Sequence, residues 1–66
     1  MTYQQASRLH NGDEVISKTT GESIRVLSIE GVNCQKLALP PGKGMIQIEG
    51  VGTQSGYFHW LHDEVT

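Results

Sequence analysis

Sixty-six residues allow one domain at most, and a core of that size leaves about 3–5 kcal/mol of net stability. Seven acidic against five basic residues give a formal charge of −2. Arg8, Lys18, Arg25, Lys36 and Lys43 are dispersed, so charge does not favour nucleic acid, which draws affinity from clustered cations.

The single cysteine, Cys34, excludes an internal disulfide framework and points to a reducing compartment. No run is long and apolar enough to span a bilayer, and "MTYQQASRLH" has neither the basic nor the apolar region of a signal peptide. The expected setting is soluble and cytoplasmic, away from membranes. Eight glycines separate short apolar runs, a pattern of many turns that suits an all-β protein.

The chain opens on a short helix, at about residues 2–11. Thr2 can cap it, Gln5 stands three residues on as in a capping box, and Asn11-Gly12 supplies a left-handed stop. Tyr3, Ala6 and Leu9 recur at helical spacing, and so short a helix must lean that stripe on the rest of the protein. From about residue 13 the period changes to that of strands. "DEVISK" is the first strand, Asp13 to Lys18, and "TTGE" turns it. "SIRVLSIE", Ser23 to Glu30, is the second. Its alternation slips between Ile24/Val26 and Leu27/Ile29, which predicts a bend or bulge near Val26-Leu27.

"CQKLAL" reads as a third strand that ends at Pro40-Pro41, since proline cannot continue a ladder. "MIQIEG" is a fourth, with Ile46 and Ile48 inward and Gln47 and Glu49 outward. Gly50, Gly52 and Gly56 bracket an expected loop. "GYFHWL" is a fifth strand. Alternation puts Phe58 and Trp60 on the core side and leaves Tyr57 and His59 on the other. "HDEV" closes as a turn, with Asp63 as its expected cap. Five short strands with turns between them predict a small curled barrel, in which closure removes most exposed edges.

Two stretches carry a resemblance. "GDEVISKTTGESIRVLSIE" resembles the opening hairpin of SH3-like barrels of the KOW- and Tudor-like kind. "YFHWLHDEV" is similar to the last strand and closing turn of small bacterial barrels of that type. The resemblance implies a single five-stranded SH3-like domain over residues 1–66, with its barrel at about 13–66. Such barrels bind peptides, nucleic acids or other subunits, and the fold does not choose among them. The acidic loop and paired aromatics of peptide-binding SH3 domains are missing, as is the basic loop of ribosomal KOW modules, so no family site transfers to named positions.

The reactive residues favour structure over chemistry. His59 and His62 stand three apart, which on a strand sends them to opposite faces, whereas zinc needs three or four converging ligands. "GTQSG" is not a nucleophile elbow, because Ser55 is one place late, and Cys34 reads as a small core residue. "PPGKG" and "GVGTQSG" lead into strands, whereas phosphate-binding loops lead into a helix. The pairs Asp13-Glu14 and Asp63-Glu64 read as solvated acids and caps. The expectation is a non-catalytic interaction or accessory module without metal or cofactor, binding another protein or itself near Tyr57 and His59. The alternative is a nucleic-acid-binding module using Arg25, Lys36 and Lys43 with Tyr57.

Overall fold

The computed structural model describes residues 1–32 and 44–66. The expected strand "CQKLAL", with Cys34 and Lys36, lies outside the described residues, as does Lys43. Helix α1 spans Tyr3–Ala6. It is followed by strands β1 (Glu14–Ile16), β2 (Ser23–Val32), β3 (Met45–Gly52) and β4 (Gly56–Leu61) and a 3-10 turn, His62–Glu64. The strands form one open antiparallel sheet in the order β1-β2-β3-β4. The architecture is therefore all-β with one short helix.

The capping box forms: Gln5 N donates to Thr2 Oγ1 (3.1 Å) and Thr2 N to Gln5 Oε1 (3.0 Å). The helix nonetheless stops at Ala6, well short of residue 11. Ser7 turns its hydroxyl back onto the Gln4 carbonyl, and the chain continues through i+3 bonds, Arg8 to Gln5 and Leu9 to Ala6. Asp13 then accepts from His10 N, and Gly12 takes φ +98° to enter β1. Side-chain bonding to nearby backbone offers the chain an alternative to further helix.

The slip in β2 is a bulge. Val26 pairs with Gly50 and Ser28 with Glu49, leaving Leu27 as the extra residue. The bulge switches which residues face inward, from Ile24 and Val26 before it to Ile29 after it, so a long strand with a broken alternation still serves one core. Ile46 and Ile48 are buried, as their alternation requires, against Val15, Ile24, Val26, Trp60 and Val65. Ala6 closes this core from the helix, with Leu9 packed beside it.

Three expectations are corrected. The expected fourth strand does not stop at Gly50 but runs on through Gly52, and residues 53–55 turn the hairpin, ending at Gly56 with φ +68°. Gly50 and Gly52 mark close approach: a Cβ on Gly50 would lie 2.7 Å from the Arg25 carbonyl oxygen, and one on Gly52 would overlap the Glu22 carboxylate. Phe58 points to the same side as Trp60 and meets it edge-on at 5.4 Å, yet it is 56% exposed. It stands opposite Gly50, which offers no side chain, and no further described strand lies beyond β4 to cover it. Tyr3 is likewise half out of the core, resting edge-on against His62 at 5.9 Å.

After the 3-10 turn the chain returns to β1. Ser17 bridges Val65, Ile16 and Thr66 exchange both backbone bonds (2.9 and 2.8 Å), and Lys18 N donates to the Glu64 carbonyl. The turn itself is held by Glu64, whose carboxylate accepts from Leu61 N at 3.3 Å, and not by Asp63.

Candidate functional site

Strand register assembles the outer face of the sheet from residues far apart in sequence. One row runs Glu14, Arg25, Val51 and Tyr57 across all four strands. The next runs Ser28, Glu49 and His59. Tyr57 and His59, two apart on β4, therefore share a face, and their rings meet edge-on at 5.7 Å.

Glu49 organises this face. The Tyr57 hydroxyl donates to one carboxylate oxygen, and the Ser28 hydroxyl donates to the other at 3.3 Å. His59 Nε2 stands 3.8 Å from that second oxygen. The Tyr57 bond is the main reason the Glu49 carboxyl lies below its ordinary pKa, with smaller help from Ser28 and His59 against partial burial. The same bond pushes the Tyr57 phenol up, because ionisation would remove the proton it donates, with burial and the charge of Glu49 adding to this. Tyr57 remains 59% exposed, so its hydroxyl is fixed while its ring is offered to solvent. Beside it, sharing Val51, lies a shallow cleft of about 240 Å³ lined by Glu14, Ser23, Arg25, Val51, Gly52 and Thr53.

The two histidines have different surroundings. His59 is exposed on the sheet, whereas His62 is buried and its Nδ1 accepts from the Ile46 backbone N–H at 3.1 Å. That bond ties the 3-10 turn to the start of β3 and uses one of the two ring nitrogens. Among the described residues, no three His, Cys, Asp or Glu side chains gather to hold a metal ion. Of the cations considered for nucleic acid, Arg25 shares its row with Tyr57, but Glu14 stands directly opposite it and Glu49 binds the tyrosine.

Sequence reasoning missed Glu22. It is 3% exposed, and its carboxylate accepts from Ser55 N (2.9 Å), Ser55 Oγ (2.8 Å), Thr20 Oγ1 (2.7 Å) and Gln54 N (3.2 Å). These donors, with the Ser55 N–H first among them, outweigh burial and hold its pKa at about 2. A general acid or base works best with a pKa near the working pH, and this shift moves Glu22 away from that range. Glu22 instead clasps the β1–β2 turn to the β3–β4 turn. The local signal was Thr20 two places before Glu22 in a glycine turn; the other two partners lie more than thirty residues away. Comparison with known proteins finds no family model, no curated protein and no solved structure that matches this chain.

Proposed function

We propose that this chain is a small SH3-like barrel that acts without catalysis as a protein-interaction module, docking its partner on the outer face around Tyr57 and His59. The pairing of Ile16 to Lys18 with Glu64 to Thr66 supports the barrel reading, because it lays the last residues along the edge of β1 that β2 leaves open. The observation that carries the binding reading is the state of Tyr57. A tyrosine pinned through its hydroxyl by Glu49 but 59% exposed presents ring area with little rotamer entropy left to lose on binding. Mixed charge on the same face, Glu14 and Arg25 in one row and Glu49 and His59 in the next, suits a protein surface better than a polyanion.

The test captures partners on immobilised wild type and on the Tyr57→Ala/His59→Ala double variant, with circular dichroism to confirm equal folding. Loss of the wild-type partners in the double variant supports the reading. Capture of the same partners at the same affinity by both places the surface elsewhere. Oligonucleotide binding that weakens steeply with salt would replace a protein partner with nucleic acid.

A further inference from the structure

Among the described strands, β4 ends the sheet. It pairs with β3 without a break from Gly52–Gly56 to Gln47–Leu61, and among the described residues nothing pairs with its other edge. Proteins blunt such edges with lysine, proline, bulges or inward charges, because unpaired N–H and C=O groups template another strand. "GYFHWL" carries none of these. It carries instead the two most exposed large apolar side chains among the described residues, Tyr57 (59%) on one face and Phe58 (56%) on the other.

We infer that this edge pairs with β4 of a second copy, antiparallel about a two-fold axis at Phe58. This rests on the reading of Tyr57 and His59 as binding residues and names a second copy of the chain as the partner. Residues directly opposite in an antiparallel pair lie on one face of the sheet. An axis normal to the sheet keeps both core sides together, so opposed residues must both be odd or both be even. A register centred on His59 would set two imidazoles against each other. The register centred on Phe58 sets the two exposed phenylalanines together and places Tyr57 opposite His59 of the second copy, twice. Every opposed pair from Tyr57 to His59 is then aromatic, a pairing that stabilises adjacent strands.

Charge agrees with this choice. Each chain carries −2, but the edge holds no acid. Glu49 stands one strand back, on Tyr57, so each copy's imidazole comes into the row beside the other's Glu49–Tyr57 pair. Six residues of strand bury less than the roughly 1,000 Å² typical of stable pairs, so the dimer is concentration-dependent.

Sedimentation of the full chain over a range of concentrations tests this, beside Phe58→Glu, which would oppose two carboxylates at the axis. Gln4→Glu, adding the same charge on the exposed helix, is the control. Wild type and Gln4→Glu should shift from one chain mass toward two, while Phe58→Glu stays at one. A second arm fixes the register in a Cys34→Ser background. Oxidised Phe58→Cys should give a covalent dimer in much higher yield than Tyr57→Cys, whose opposing residue is His59 of the second copy. Wild type that stays one chain in mass throughout, or a dimer that Phe58→Glu leaves intact, overturns the inference; so does equal cross-linking by both cysteines. A monomeric chain that loses a captured protein on Tyr57→Ala/His59→Ala would overturn self-pairing and leave the interaction module standing.

Discussion

Two hydrogen-bonded carboxylates mark two different regions of this small protein. Glu22 is buried between the turn that follows β1 and the turn that follows β3, and four donors surround it. Glu49 lies on the outer face, binds the hydroxyls of Tyr57 and Ser28, and leaves the Tyr57 ring in solvent. Both have lowered pKa values because they accept hydrogen bonds as anions. What separates them is where their donors sit. Donors on remote turns make Glu22 a fastening of the fold, whereas donors on neighbouring strands make Glu49 an anchor for a surface side chain. The core side of the sheet should therefore dominate stability, and the outer face should dominate binding.

The sharpest break of that contrast lies in the two rings on the core side of β4. Trp60 is 6% exposed, and Trp60→Ala should cost about 3–5 kcal/mol, enough to unfold a domain of this size. Phe58→Ala should cost about 1 kcal/mol, because its ring is already mostly in water. Thermal melts followed by circular dichroism will separate them, and equal losses would mean that Phe58 is covered. Next comes Gly52→Ala, whose added methyl overlaps the Glu22 carboxylate and should cost about 1–3 kcal/mol by forcing the clasp apart. An unchanged melting temperature would show that the two turns separate freely.

Protonation opens the same clasp more gently. Glu22 binds its proton at about 2 in the fold against 4.5 ordinarily, so the unfolded chain binds more protons between those values. Its contribution is therefore complete above about pH 4.5 and is lost as pH falls toward about 2. Glu22→Gln should melt lower than wild type near neutrality and show a shallower fall in stability over that acid range. A variant whose acid melting curve parallels wild type would remove Glu22 from the account. The smallest effect belongs to the outer face: Tyr57→Phe loses the bond to Glu49 but should leave the melting temperature within its error. It should still weaken partner capture, since the ring is no longer held. A large drop in melting temperature would make the Glu49–Tyr57 pair part of the fold's support.

The difference between the two regions also explains what could be read in advance. The capping box at Thr2 and Gln5, the bulge at Leu27, the inward Ile46 and Ile48, and the shared face of Tyr57 and His59 all follow from periodicity or from bonds within three residues. The helix stops earlier than its spacing predicts because Ser7 and Asp13 bond to nearby backbone, and β3 runs past its expected end at Gly50 because glycine marks turns and close contacts alike.

The sequence by itself determined the capping box, the bulge and the facing of Ile46, Ile48, Tyr57 and His59, because each depends on neighbours along the chain. Tertiary structure alone decided that Glu22 meets Ser55, that Glu49 holds Tyr57, that His62 receives the Ile46 N–H, and that Phe58 is left in solvent. Those outcomes depend on strand register and on which strand ends the sheet. Register joins residues eight to thirty-three places apart, and no local period carries that information.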